Sequence, residues 1–122
     1  QKQLIQEKSI KVVNDQKRTP TYVFDICQGI ETIILGNHEG IFHLAGLEII
    51  TPYQMAVEVA NCLSLNINLI EAVDSTTFPE PVKRAKQSGL KIDRAQAILN
   101  YKPHSFAEGV RKSFLADQLL NN

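Results

Sequence analysis

Residues 10–20 read Ile10-Lys11-Val12-Val13-Asn14-Asp15-Gln16-Lys17-Arg18-Thr19-Pro20, a short strand-like run that gives way to a polar loop. Beyond it, Val23, Ile26, Cys27, Ile30 and Ile34 recur at three-and-four spacing. That spacing predicts a helix from Thr21 with this stripe buried, stopped by Gly36-Asn37. Ile41 to Ala45, bounded by Gly40 and Gly46, reads as a strand apolar enough to be covered on both faces. Thr51-Pro52-Tyr53-Gln54 then combines an N-cap threonine, a proline at the first helical position and a glutamine placed to reach back to the cap. The helix it starts is expected to bury Met55, Val59, Cys62 and Leu63 and to end near Ser64. Asn66 to Val73 supplies another strand-like run.

The remainder has a different texture. Asp74 to Leu90 contains Pro79, Pro81 and Gly89 and is expected to be mostly irregular, and a connection of that length usually has a function. Asp93 to Asn100 reads as a short helix, and Ser105 to Glu108 is a second capping box. It opens a final helix with Phe106, Val110 and Phe114 on one face, ending around Leu120. Strands alternating with about four helices define an α/β chain, although three or four short strands leave the sheet order open. Without repeats, low-complexity tracts or a linker, residues 1–122 read as a single domain.

Composition bounds the function. The 122 residues are 43% hydrophobic and 21% charged, the balance of a chain with a real core. Thirteen basic and thirteen acidic residues cancel, which removes the overall attraction that non-specific nucleic-acid binders use. Cys27 and Cys62 fall in apolar helical patterns and are expected to be reduced core residues. No run approaches the roughly 18 apolar residues of a membrane span and no leader peptide is recognisable, so the expectation is a soluble, cytoplasmic protein without membrane contact. The chain begins with Gln1 and runs straight into the amphipathic segment Gln1 to Lys8, which suggests a piece of a longer protein.

Several chemistries are missing from the pattern. A dinucleotide site needs a glycine-rich turn between a strand and a helix, and Gly36-Asn37-His38-Glu39-Gly40 joins a helix to a strand, the reverse order. His38, His43 and His104 share no metal-ligand spacing, and His43, inside an apolar run, reads as a satisfied structural residue. No nucleophile elbow occurs, and His104-Ser105 reads more simply as a helix cap. No catalytic, cofactor or metal residue is therefore assigned.

Two segments do stand out: the loop Asp15 to Thr21, and the proline-flanked basic stretch Phe78 to Leu90. Lys83, Arg84, Lys86, Lys91 and Arg94 place five of the thirteen cations within twelve residues. Such a cluster suits phosphate groups, with arginine offering a planar fork, although a solvated surface run has the same composition. Nucleic-acid binding through Lys83 to Arg94 is disfavoured by the zero net charge and the lack of interleaved aromatics.

Taken together, Val12-Val13-Asn14-Asp15-Gln16, then Pro20-Thr21-Tyr22 and Asp25, then Gly40-Ile41-Phe42-His43-Leu44-Ala45-Gly46, then Phe78-Pro79-x-Pro81 with Arg84, Ser88 and Leu90, resemble the carboxy-terminal part of the dTDP-4-dehydrorhamnose reductases. These are extended short-chain dehydrogenases/reductases acting on nucleotide sugars. The resemblance runs from about Ile10 to Leu115. It implies a small C-terminal substrate-binding domain whose Rossmann domain, with NADPH or NADH and a catalytic Tyr-x-x-x-Lys pair, is absent here. Tyr22, Tyr53 and Tyr101 are followed four residues later by Ile26, Val57 and Ser105, so none is that tyrosine. A fragment of this kind should be inactive alone. No cofactor is expected in it, and the parent enzyme would reduce a nucleotide-linked 4-keto sugar in dTDP-rhamnose biosynthesis.

The resemblance implies Pro20, Thr21 and Arg84 as substrate-binding residues, and Arg18 joins them by likeness to the related nucleotide-sugar epimerases, which place a phosphate-binding arginine there. Arg18 and Arg84 are expected to converge on the diphosphate from two loops, and Asp15 and Gln16 to fasten the first loop through side-chain to backbone hydrogen bonds instead of binding substrate. Two departures bear on the sugar: Arg18 stands where these reductases usually carry glycine, and Ala85 where proline is common. The partners implied are a nucleotide sugar, the missing Rossmann domain and, through an uncovered apolar face, a second copy of the chain. A non-catalytic relative that binds a partner protein as a regulatory subunit is the alternative.

Overall fold

The computed structural model describes residues 2–79, 81, 82 and 84–120. In chain order the elements are α1 (Lys2–Ile5), β1 (Ile10–Val13), α2 (Val23–Leu35), α3 (Pro52–Cys62), β2 (Ile70–Val73), α4 (Asp93–Leu99) and α5 (Phe106–Leu120), with single 3-10 turns at Ile67–Leu69 and Ser75–Thr77. The α/β class read from the sequence holds. The chain forms two compact units, one from Gln1–Arg18 and Ile50–Ser88, the other from Thr19–Ile49 and Gly89–Asn122.

The first unit is built on a parallel pair of strands. β1 and β2 run in register from Ile10 opposite Ile70 to Val13 opposite Val73. Ala60, Leu4 and Ile70 form the buried centre, and Ile10, Val12, Tyr53, Ala56 and Val57 pack around it. The face of α3 turned to the strands is thus Tyr53, Ala56, Val57 and Ala60, one step round from the expected Met55, Val59, Cys62 and Leu63. Small residues at 56 and 60 let the helix backbone approach the sheet, which the larger Met55 and Val59 would prevent. The start of α3 is as read: Thr51 accepts from the Gln54 backbone N–H (3.2 Å) and the Gln54 side chain accepts from the Thr51 N–H (2.8 Å). A cap of this kind contributes about 1 kcal/mol.

The second unit centres on Ala45, Ile92, Ala95, Leu99 and Tyr101, with Ile33, Phe42 and Leu44 against them. Here α2 turns Asp25 and Gly29 inward, while Val23, Ile30 and Ile34 are exposed, which corrects the stripe expected from periodicity. A Cβ at Gly29 would lie 2.7 Å from the Leu44 methyl groups, so the Ile41 to Ala45 segment packs directly against the helix at this point. Cys27 lies two residues from both Asp25 and Gly29, roughly 200° round the helix, and is exposed. Cys62 is half-buried, so neither cysteine is the core residue expected, although both are free thiols.

Ile41 to Ala45 is not a strand. It is extended, with Phe42, Leu44 and Ala45 turned inward, but it pairs with no strand among the described residues. Ile41 is 79% exposed, and His43 is exposed instead of packed. Among the described residues the strands therefore number two, not three or four. The final helix is as read. Ser105 and Glu108 cap each other reciprocally, and Val110 is buried between the half-buried Phe106 and Phe114.

Asp25, 1% exposed, holds this unit together through His104. Its two oxygens accept from the His104 backbone N–H at 2.9 Å and meet the ring Nδ1 at 2.6 Å. Nearby, the Tyr101 hydroxyl is buried without a hydrogen-bond partner among the described residues. Burial, and secondarily the charge of Asp25, push its phenol up to about 12 from an ordinary 10.0. With the folded value raised, the unfolded chain loses this proton first. The associated stability is intact below pH 10 and is lost as pH rises towards 12. Tyr101→Phe should leave stability at pH 7 within about 1 kcal/mol of wild type and flatten the alkaline limb, as read by denaturant melts. A loss of more than about 2 kcal/mol at pH 7 would show that the hydroxyl has a partner.

Candidate functional site

The strand register carries the site. Past Val13 the pairing continues, with Asn14 N–H donating to Val73 O at 2.9 Å. Asp15 consequently faces Ser75, whose N–H (3.0 Å) and hydroxyl (2.8 Å) both donate to its carboxylate. The loop that follows is laced to two other segments. Lys17 N–H donates to Lys86 O (2.7 Å), Ser88 N–H donates to Lys17 O (3.1 Å), and Arg18 exchanges both backbone bonds with Ile50 (3.0 and 2.9 Å). Those bonds bring residues 84–88 alongside residues 15–18, although nothing in the local sequence of either stretch indicates the pairing.

Between them lies an open cleft of about 940 Å³. Arg18 and Arg84, expected to converge, both line it, with Lys11 and Lys86 adding positive charge and Asp15 the one carboxylate among the described lining residues. Gln16, 7% exposed, accepts from the Arg18 guanidinium at 2.9 Å and so fixes the direction of that side chain. Of the expected side-chain to backbone fastening, Asp15 makes one bond, from the Ser75 N–H, whereas Gln16 meets the Arg18 side chain. The lining also includes the apolar residues Phe78, Pro79, Pro81 and Val82. Glu80 and Lys83, part of the basic stretch, lie outside the described residues.

Pro20 and Thr21 are not among the residues lining the cleft. The Thr21 hydroxyl accepts from Gly46 N–H at 3.0 Å and donates to Thr19 O at 3.1 Å, a structural use of the side chain. Arg94, counted in the basic cluster, lies 5.1 Å from the centre of the Phe42 ring. No group of three metal-ligating side chains occurs among the described residues, and no described helix is long and apolar enough to cross a membrane. Sequence reasoning missed Lys11 and Ser75, whose places depend on strand register, whereas the stretch from Phe78 was singled out.

An α/β chain with a cation-lined, half-apolar cleft beside a parallel strand pair is the architecture of a small substrate-binding domain. The chain belongs to the RmlD substrate binding domain family, whose model matches residues 1–119. A dTDP-4-dehydrorhamnose reductase of Aggregatibacter actinomycetemcomitans is 29% identical over 111 residues, covering 82% of this chain and 38% of that protein. The crystal structure of a dTDP-4-dehydrorhamnose reductase from Clostridium acetobutylicum matches with a TM-score of 0.85 at 25% identity, over 96% of this chain and 43% of the other. That of the Bacillus anthracis enzyme, in complex with NADP, matches at 0.83 and 22%, over 94% and 41%. The chain therefore spans between 38% and 43% of the length of these relatives.

The two hydrogen bonds from Ser75 hold the Asp15 carboxyl below the usual carboxylate range, with the Lys86 charge a smaller contribution in the same direction. A lowered carboxyl contributes stability above its ordinary value of 3.8 and loses it as pH falls through the depressed one. Asp15→Asn should lower the melting temperature at pH 7 and flatten the acid limb below about pH 4. Melting curves that coincide with wild type from pH 7 to about 3 would contradict the role given to this pair.

Proposed function

We propose that the 122 residues act as one sugar-nucleotide-binding domain of a reductase of the dTDP-4-dehydrorhamnose type. The observation that carries this reading is the presence of Arg18 and Arg84 on a single cleft. A diphosphate carries its negative charge on closely spaced oxygens, and two guanidinium groups offer paired donors to them from different sides. Gln16 keeps Arg18 from turning away. Pro20 and Thr21 have a supporting part, shaping the chain as it leaves Arg18.

In this reading the reaction belongs to a longer polypeptide. This chain has no glycine-rich strand-to-helix turn for a dinucleotide, so no cofactor is assigned to its residues. NADPH or NADH, held outside these 122 residues, would supply hydride to the keto carbon of the bound sugar. The domain's own task is to bind the diphosphate and present the sugar, which makes binding energy away from the reacting carbon available for orientation. The greater length of the relatives supports this division. So does the outer face of α2, where Val23, Ile30 and Ile34 are exposed and suited to contact the rest of the enzyme or a second copy. A cytoplasmic location accords with a nucleotide-sugar substrate.

Calorimetric titration with a dTDP-sugar tests the clamp. Arg18→Ala and Arg84→Ala should each weaken binding by about ten- to a hundredfold, the range for a charge-assisted hydrogen bond. Unchanged affinity in both variants would remove the clamp.

A further inference from the structure

The outer face of α2 carries a seam that local packing does not use. Val23, Cys27, Ile30 and Ile34 follow one another at intervals of four, three and four, which sets them within roughly 60° round the helix. All four are exposed, Val23 to 60%, Ile30 to 47% and Ile34 to 67%. Phe24 and Leu35 widen the face on one flank, and the opposite side of the helix is closed by Asp25 and Gly29. Alternation of four and three is the spacing by which one helix packs along the length of another. A continuous apolar face of this kind marks an interaction surface.

We propose that this face is a pairing surface for a second copy of the chain, with the two α2 helices antiparallel about a two-fold axis level with the peptide joining Gln28 and Gly29. The spacing selects this occupant. The seam is symmetric about its own midpoint, so the reversal that a two-fold axis imposes sets Val23 against Ile34 of the second copy and Cys27 against Ile30 of the second copy. Each contact is apolar and occurs twice. Charge permits the pairing as well. α2 contains no lysine or arginine, Asp25 is buried against His104, and Glu31, its one surface carboxylate, lies beside the seam with Phe24. Covering Val23, Phe24, Ile30, Ile34 and Leu35 on both copies removes roughly 1,000 Å² from water, the threshold of a specific interface, which corresponds to a weak, reversible dimer. The pairing is independent of what the cleft binds, so either can stand without the other.

Sedimentation velocity of the 122-residue chain is the test. The average mass should climb towards twice that of the monomer as concentration rises from about 10 μM to about 1 mM. Ile34→Lys, a change at a residue already in solvent, should keep the wild-type circular-dichroism spectrum and stay monomeric throughout. Cross-linking in a Cys27→Ser, Cys62→Ser background reads the orientation. Val23→Cys combined with Ile34→Cys should give a covalent dimer on mild oxidation. Val23→Cys alone should not, because the two copies of residue 23 lie roughly 16 Å apart along an antiparallel seam. A wild-type chain still monomeric at about 1 mM overturns the pairing and leaves the face to the rest of a longer polypeptide. A dimer that Ile34→Lys does not weaken, or one that cross-links through residue 23 alone, overturns it too.

Discussion

The register of one pair of strands governs the cleft. Ile10 lies opposite Ile70 and Val13 opposite Val73, and the same offset continued places Asp15 against Ser75, sixty residues away in sequence. A slip of one residue would turn Ile10 and Val12 away from α3 and separate Asp15 from Ser75 together. Packing and site are therefore specified by the same contact. The apolar seam against Ala56 and Ala60 selects the register, and the register sets where the loops begin. Arg18 and Phe78 then sit a few residues beyond the two anchored ends, and both line the cleft.

This arrangement explains how an electrically neutral chain has a positive cleft. The overall balance of thirteen against thirteen says nothing about distribution, and the fold collects Lys11, Arg18, Arg84 and Lys86 around one space with Asp15 already engaged by Ser75. Cations gathered at close range give a local positive potential that favours an anion although the net charge is zero. The family to which the chain belongs, and relatives that act on dTDP-linked sugars, give that anion its chemical identity in the function proposed.

What was legible in the sequence follows the range of the interactions concerned. Thr51 with Gln54 and Ser105 with Glu108 satisfy helix ends with groups three residues away, so both helix starts could be read directly. Helix faces could not. The outward stripe of α2, with Val23, Ile30 and Ile34, is more apolar than the inward one, so periodicity selected the wrong side. Asp25 is buried because it meets His104, 79 residues on, a partner no local pattern announces. Ile41 to Ala45 has the composition of a strand, but a strand exists only as part of a pair, and among the described residues it has no partner. For the site, Arg18 and Arg84 were nameable from the resemblance. Their presence on one cleft depends on backbone bonds of Lys17 to Lys86 and Ser88 that composition does not encode.

The function proposed requires a sugar nucleotide to occupy the cleft of the first unit. Amide chemical-shift mapping of the isotope-labelled chain during titration with a dTDP-sugar reads this residue by residue. Saturable shifts concentrated in residues 11–18 and 75–86 are expected. Saturable shifts centred elsewhere, with those two stretches unmoved, would contradict it.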